Sequence, residues 1–175
     1  MKKSCIHIYC GDGKGKSTAA MGLALRAAGS GEKVLVTQFL KDGTSSELKI
    51  LRELPGVQVL ACEKKFGFFW NMTEEQKAQA KDAYEELFEK AVKTAVEENV
   101  FLLVMDEFIA AYNHGMIDQK KALAFLKERP EGLEVVLTGR EPAPELVELA
   151  DYVSEIQKKK HPFDQGVPAR KGIEL

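Results

Sequence analysis

Short apolar runs recur along the chain, and longer segments in which apolar residues follow a helical period separate them. The runs cover residues 6–9, 33–39, 57–62, 100–105, 133–137 and 151–156. Residues 100–105 are apolar at every position, which is typical of a parallel strand that helices cover on both faces. The pattern therefore predicts six strands.

Start and stop signals delimit six predicted helices, all of them between these runs. A capping box, Thr44-Ser45-Ser46-Glu47, begins a short helix that ends near Leu54, and Thr73 caps a long helix that ends near Glu98. The other predicted helices cover residues 16–29, 108–112, 118–129 and 144–150. Such alternation predicts an α/β fold, a three-layer α/β/α sandwich with a mostly parallel sheet, as a single nucleotide-binding domain over residues 1–175.

The composition of the chain indicates which partners and which cellular compartment to expect, and it agrees with the predicted fold. Lys and Arg number 25 and Asp and Glu 27, and the resulting net charge of −2 argues against a general binder of nucleic acid or anionic membrane. Three cysteines in apolar context, without a C-x-x-C pair, indicate free thiols in a reducing compartment. No run approaches the ~20 apolar residues of a membrane span, and no signal peptide is evident, so we expect a cytoplasmic protein.

A glycine-rich segment between the first strand and the first helix carries the strongest chemical signal. It reads Gly11-Asp12-Gly13-Lys14-Gly15-Lys16-Ser17-Thr18. This order of a strand, a glycine loop, Lys-Ser and a helix is typical of the phosphate-binding P-loop. In that motif, backbone N–H groups and the N-terminus of the helix bind phosphate. Lys16 and Lys14 would add positive charge, and the Ser17 hydroxyl would ligate Mg²⁺. These eight residues are the predicted ATP-binding segment of a P-loop NTPase-like (RecA-like) fold.

The loop is one residue shorter than the common G-x-x-x-x-G-K-[ST] pattern. Counting back from Gly15 puts Cys10 where the first glycine is expected. The alternative is a glycine-rich turn that binds no ligand, but the flanking strand and helix favour a phosphate site. The short spacing indicates a variant nucleotide geometry.

Two acidic residues, Asp106 and Glu107, follow the fully apolar run 100–105. Carboxylates at this strand end can reach the P-loop hydroxyl and complete a site for Mg²⁺ or Mn²⁺ with Ser17. The alternative is a solvated strand end. Which of the two carboxylates would contact the metal is open at this stage.

An aromatic segment follows the third predicted strand and contains Phe66, Phe68, Phe69 and Trp70, the last being the only tryptophan of the chain. Clusters of exposed apolar side chains mark ligand or partner sites, and a flat apolar ligand or an oligomer contact would fit here. Packing against the core is the alternative for about half of them. His114, in a predicted loop beside Gly115, carries no specific signal.

Three further residues are candidates for ligand contacts. Arg140 follows Thr138-Gly139 at a predicted strand end, where its guanidinium could bind phosphate or form a structural ion pair. His161 and Asp164 lie in the polar C-terminal segment and could contact ligand or cap the edge of the sheet.

The sequence resembles the P-loop family of ATP:corrinoid adenosyltransferases, of the CobA/BtuR type. The likeness covers nearly the whole chain. Four stretches carry it: the short P-loop 11–17, Gly67-Phe68-Phe69-Trp70, Val104-Met105-Asp106-Glu107, and 138–173 with His161-Pro162-Phe163-Asp164-Gln165-Gly166. The short loop together with His-x-Phe-Asp-x-Gly is far more specific than a P-loop alone.

The resemblance implies transfer of the 5′-deoxyadenosyl group of ATP to Co(I) of a reduced corrinoid, with release of triphosphate. It implies that Phe68 and Trp70 displace the lower ligand of the corrinoid and that Lys16 neutralises triphosphate, which makes these three the predicted catalytic residues. It further implies a homodimer and a reduced flavoprotein as electron donor. No general base is needed, because Co(I) is itself a strong nucleophile.

Two points remain open at the level of the sequence. Some family members carry an N-terminal extension that helps cover the corrinoid, whereas here the first strand begins by about Cys5, so we expect another segment or a partner subunit to cover the site. The alternative functions are a P-loop nucleotide or nucleoside kinase, an ATPase, and a non-catalytic ATP-gated corrinoid-binding module.

Overall fold

The computed structural model describes residues 4–41, 43–62, 64, 66–67 and 69–174. Within these residues, six strands form one sheet: β1 (Ile6–Cys10), β2 (Val34–Gln38), β3 (Val57–Ala61), β4 (Leu102–Asp106), β5 (Glu134–Thr138) and β6 (Tyr152–Glu155). Their order is β3-β2-β4-β5-β1-β6, and every neighbouring pair is parallel. The six predicted strands and the parallel sheet are thus confirmed.

In the described part of the chain, six α-helices connect the strands: α1 (Lys16–Gly29), α2 (Ser46–Leu51), α3 (Glu74–Glu97), α4 (Phe108–Asn113), α5 (Gln119–Glu128) and α6 (Pro144–Leu149). Short 3-10 helices cover Phe69–Asn71 and Pro162–Gln165. None of the helices in the described part of the chain is both long enough and apolar enough to cross a membrane.

The core consists of two apolar layers, one on each face of the sheet. The layer under α1 and α2 includes Met21, Ala24, Leu48 and Leu51. The layer under α3 to α6 is larger and, among the described residues, contains all the buried aromatic side chains: Phe39, Tyr84, Phe88, Phe108 and Tyr112. Helices on both faces of a parallel sheet make the predicted three-layer sandwich.

Local capping signals succeeded at two helices and failed at one. Thr73 and Gln76 form the full capping box at α3, and the Asp118 carboxylate accepts the N–H groups of Lys120 and Lys121 at α5. The capping box predicted at Thr44 to Glu47 is wrong, because α2 is capped at Ser45 without a side-chain cap bond. The Ser45 hydroxyl instead donates to Gln38 Oε1 at 2.9 Å, so a tertiary contact replaces the local one.

Candidate active site at the carboxyl edge of the sheet

The P-loop joins β1 to α1, and Gly15, with φ 120°, occupies the N-cap position of the helix. Only glycine adopts this φ without strain. The Lys16 ammonium donates to the Gly13 carbonyl at 2.8 Å and therefore lies along the loop itself. Burial lowers the pKa of Lys16, and the positive charge of Arg140 acts in the same direction.

Two N–H groups of the loop bond to neighbouring strand ends. Gly11 donates to the Arg140 carbonyl at 3.0 Å, and Gly13 donates to the Ile156 carbonyl at 2.7 Å. A Cβ at Gly13 would lie only 2.7 Å from that same Ile156 oxygen. The glycine at position 13 is therefore required by the close approach of the chain that follows β6.

Asp106 ends β4 and has a fully buried side chain. Its Oδ2 accepts from Gln38 Nε2 at 2.9 Å and from Lys41 Nζ at 3.3 Å, and its Oδ1 accepts from the Thr138 hydroxyl at 2.7 Å. Burial raises the pKa of Asp106, but the Lys41 charge and the hydrogen bonds outweigh it, so the net pKa is lowered. The Ser17 side chain lies close enough to Asp106 to help lower its pKa, so the P-loop and the end of β4 are neighbours.

Glu107 follows directly in the left-handed region, with φ 58°, and its N–H donates to the Thr138 hydroxyl at 2.9 Å. Non-glycine residues in this region carry strain and cluster at functional sites. Burial and the nearby negative charge of Asp106 raise the pKa of Glu107, although Lys41, Lys16 and Arg140 counteract both. The two acidic side chains thus have opposite pKa shifts within one site.

Arg140 is exposed just beyond the end of β5. Its positive charge opposes the rise in the pKa of Glu107 and contributes to the lowered pKa of Asp12. Asp12 faces the C-terminal segment, because its Oδ1 accepts the Lys158 N–H at 2.8 Å. That hydrogen bond is the largest cause of the lowered pKa of Asp12. ATP binding stays a prediction for four residues: Arg140, Asp12, Lys14 and Thr18.

His161 and Asp164 make local contacts in the C-terminal segment. His161 Nδ1 accepts the Phe163 N–H at 3.1 Å, and Asp164 forms an ion pair with Lys158 at 3.1 Å. Because the Lys158 N–H also bonds to Asp12, this segment is attached to the P-loop through Lys158. Ligand contacts by His161 and Asp164 stay predictions.

The aromatic segment is divided between core and surface. Phe66 and Phe69 are partly buried against the larger core layer, where Phe66 packs edge-on to Tyr84. Trp70 has 73% of its surface exposed. Phe68 lies outside the described residues, so its predicted role is not addressed by the structure.

The oxygen donors at this edge suit a cation that arrives with a nucleotide. Among the residues that the structure describes, no group of three or more His, Cys, Asp or Glu side chains could hold a metal ion. Mg²⁺ in phosphate-binding sites is held by one or two protein oxygens together with water and substrate phosphates. Ser17, close to buried Asp106 and its neighbour Glu107, fits that pattern.

Sequence reasoning missed four residues at or near the site: Gln38, Lys41, Thr138 and His114. Gln38 and Thr138 end strands and Lys41 follows one, so the sequence could place all three at the carboxyl edge of the sheet. His114 follows α4 and stacks on Phe69, with ring centroids 4.2 Å apart. That contact joins segments 45 residues apart in the chain, and no local pattern indicates it.

Solved structures with a similar fold are distant in sequence. EssC (ATPases 2 and 3) from Geobacillus thermodenitrificans aligns with a TM-score of 0.52 and 16% identity, over 99% of this chain and 36% of that chain. A KaiC-like protein from Pyrococcus horikoshii OT3 aligns with a TM-score of 0.54 and 15% identity, over 90% of this chain and 74% of that chain. These likenesses confirm the P-loop NTPase-like fold and no more.

Curated relatives are much closer in sequence. A corrinoid adenosyltransferase from Pseudomonas aeruginosa is 36% identical, over 99% of this chain and 85% of its own length. The Escherichia coli K12 corrinoid adenosyltransferase is 35% identical and Salmonella typhimurium CobA 33%, each over 99% of this chain and 86% of its own length. The family model described as ATP:corrinoid adenosyltransferase BtuR/CobO/CobP matches residues 2–175. The chain therefore belongs to the ATP:corrinoid adenosyltransferase family.

Proposed function

We propose that this chain is an ATP-dependent corrinoid adenosyltransferase that binds ATP at the P-loop and the corrinoid at the aromatic segment. The adenosyl group then passes from ATP to the corrinoid. The observation that carries this assignment is the buried Asp106 carboxylate at the end of β4, held by Gln38, Lys41 and Thr138. It lies beside Ser17 and Lys16 of the P-loop, with Glu107 next to it. This arrangement can hold a triphosphate and its cation. The family then identifies the reaction that uses them.

In this reaction the Co(I) electron pair forms the new bond to C5′ of ATP. The C5′–O bond breaks, and triphosphate leaves with the electron pair of the C5′–O bond. The protein has to hold C5′ in line with cobalt and to neutralise the developing charge on the leaving group. The triphosphate would be bound by the side chains of Lys14 and Lys16 and by the loop N–H groups from Lys14 onward. Arg140 would add positive charge at the edge of this site.

Ser17, with Asp106 and Glu107, would hold the Mg²⁺ or Mn²⁺ that accompanies ATP. When bound, the cation would offset negative charge on the triphosphate oxygens. The three donors on Asp106, from Gln38, Lys41 and Thr138, hold its carboxylate in place beside the P-loop. Since Lys41 contacts Asp106, it would balance the charge of this carboxylate when no cation is present.

On the corrinoid side, Trp70 and Phe68 would displace the lower axial ligand of the cobalt. Loss of an axial donor would lower the energy of the half-filled cobalt orbital that receives the electron, which would make Co(II) easier to reduce. The support in this chain is the exposure of Trp70, since 73% of a large aromatic surface in contact with water favours an apolar ligand.

Adenosyl transfer is favoured over the alternatives of a P-loop kinase, an ATPase or a non-catalytic corrinoid-binding module, because the family covers residues 2–175. A homodimer would supply a second surface to cover the corrinoid, and a reduced flavoprotein would supply the electron. These two partners and the cytoplasmic location stay predictions.

Product analysis tests the function directly. Purified protein is mixed with ATP, Mg²⁺ and a corrinoid reduced chemically to Co(I), and the cobalt–carbon bond is followed by absorbance. We expect one triphosphate for each bond formed. Release of ADP, or no turnover in a protein that binds ATP, would contradict adenosyl transfer, and Lys16→Ala serves as the inactive control.

A further inference from the structure

Phe69 is the contact point between the aromatic segment and two helices. Its ring stacks on the His114 ring, with centroids 4.2 Å apart and planes 12° from parallel. The Lys77 ammonium lies over the same Phe69 ring, 5.2 Å from its centroid. Stacking of this kind and a nearby cation both stabilise an aromatic ring in one orientation.

The partners of Phe69 are themselves held in place. The Lys77 ammonium bonds to Glu74 Oε1 at 2.7 Å in the first turn of α3, just after the Thr73 capping box. The backbone N–H of His114 bonds to the Ala110 carbonyl at 3.0 Å at the end of α4. Phe69 therefore packs between two structured elements.

Helix α4 connects this contact to the phosphate end of the site. Glu107 is the N-cap residue of α4 and His114 its C-cap residue. At 1.5 Å per residue, the seven steps between them span about 10 Å. The helix is rigidly packed, since Ile109 is fully buried and a Cβ at Gly139 would lie 2.4 Å from the Ile109 Cβ.

We propose that Phe69 is a positioning residue for the transfer reaction. Its stack on His114 fixes the aromatic segment to α4, and α4 sets the distance from Trp70 to the triphosphate site. The inference rests on the proposed contact between Trp70 and the corrinoid. Because transfer needs C5′ in line with cobalt, a displacement of about 1 Å at either substrate can cost about 10²-fold in rate.

Packing alone is the competing explanation, because Phe69 also contacts the larger core layer. A packing role would change stability and leave Trp70 and the corrinoid KM unaffected. The chain offers a direct readout of the difference, since Trp70 is its only tryptophan. Fluorescence anisotropy of the full chain therefore reports on the residue that follows Phe69.

The test uses Phe69→Leu, which removes the ring and keeps apolar volume, and His114→Ala, which removes the partner from an exposed position. Phe69→Tyr keeps the stack. Phe125→Leu is the matched control, because Phe125 makes an edge contact to Phe88 in the same core layer, far from the aromatic segment in sequence. Measurements are Trp70 anisotropy, the corrinoid KM with Co(II) corrinoid and a weak flavoprotein donor, and the ATP Kd by calorimetry.

Phe69→Leu and His114→Ala should lower the anisotropy and raise the corrinoid KM about tenfold, with the ATP Kd within about twofold of wild type. Phe69→Tyr and Phe125→Leu should match wild type in all three. Wild-type anisotropy and KM in Phe69→Leu overturn the positioning role, as do equal effects in Phe125→Leu.

Trp70→Ala separates the positioning role of Phe69 from the corrinoid contact of Trp70. A raised corrinoid KM in Trp70→Ala together with a wild-type KM in Phe69→Leu overturns the positioning role alone. A wild-type corrinoid KM in Trp70→Ala overturns the corrinoid contact of Trp70 itself, and the inference with it.

Discussion

The Thr138 hydroxyl donates a hydrogen bond to Asp106 Oδ1 at 2.7 Å and accepts the Glu107 N–H at 2.9 Å. One side chain at the end of β5 thereby orients the carboxylate of one acidic residue and the backbone of the next. Strand order explains the contact, since β5 lies between β4, which carries Asp106, and β1, which leads to the P-loop. Thr138 therefore connects the acidic pair to the strand beside the P-loop.

Thr138→Val should lower the free energy of unfolding by about 1–3 kcal/mol, because it removes a donor from Asp106 and leaves the Glu107 N–H without its acceptor. The catalytic efficiency with ATP should fall about tenfold or more, since Asp106 loses its orientation. Chemical denaturation and steady-state kinetics measure the two effects, and Thr138→Ser should restore most of both.

Thr37→Val is the matched control for that substitution. Thr37 lies in the adjoining part of the same sheet, and among the described residues its hydroxyl is the one buried side-chain polar atom without a hydrogen-bond partner. Replacing it with an isosteric apolar side chain should be neutral or stabilising. A loss of stability in Thr37→Val equal to that in Thr138→Val would show that the hydrogen bonds of Thr138 are not the cause.

The strands and the P-loop could be predicted because their signals are local. An apolar run such as 100–105 and the glycines at 11, 13 and 15 indicate an element without knowledge of the rest of the chain. Strand order is a property of the whole fold, so the contact of Thr138 with Asp106 could not be predicted from the sequence. The failed capping box at Thr44 has the same origin, because buried Gln38 captures the Ser45 hydroxyl only once β2 and α2 are packed.

Lys16→Ala should abolish measurable ATP binding and leave the fold intact. The Lys16 ammonium bonds only to the loop carbonyl of Gly13 among the described contacts, so its loss removes charge near the phosphates and little packing. Calorimetry measures the ATP affinity, and circular dichroism checks the fold. Lys90→Ala, on the exposed face of α3, is the control. ATP affinity close to wild type in folded Lys16→Ala would refute the assignment.

Asp106→Asn combined with Glu107→Gln should raise the Mg²⁺ concentration needed for ATP binding at least tenfold, about 1.4 kcal/mol, because Mg²⁺ prefers anionic oxygen ligands. The measurement is the ATP affinity across a Mg²⁺ titration. Glu148→Gln, exposed on α6, controls for the loss of a negative charge. An unchanged titration would mean that Ser17, water and phosphate suffice to hold the cation.

Glu107→Gln alone should stabilise the ATP-free protein at pH 7. The pKa of Glu107 is raised by burial and by Asp106, so the folded protein holds its ionised form at a cost that the neutral amide avoids. Below the unfolded-state pKa of about 4.5, Glu107 is protonated in both states and the cost is absent. The advantage of the variant should therefore appear as pH rises from about 4.5 through the folded pKa and persist above it.

Thermal unfolding between pH 4 and pH 8 measures this effect, and each kcal/mol should shift the Tm by roughly 2–4 °C in a chain of this size. The same variant should lose Mg²⁺-dependent activity, so stability and function change in opposite directions. A Tm difference that is equal at pH 4 and pH 8 would show that titration of Glu107 is not its source.

The corrinoid role of Phe68 and Trp70 predicts a loss of activity that depends on how the corrinoid is reduced. When the corrinoid is reduced chemically to Co(I) beforehand, the double variant Phe68→Ala with Trp70→Ala should keep substantial transfer, because cobalt supplies the nucleophile and the P-loop still binds triphosphate. With Co(II) corrinoid and a weak flavoprotein donor, activity should nearly vanish, because the lower ligand stays bound and the electron cannot be delivered. Both assays use one protein preparation, so any loss of stability affects them equally. If the two assays lose the same fraction of activity, ligand displacement is excluded and the aromatic side chains act as general corrinoid contacts or as packing.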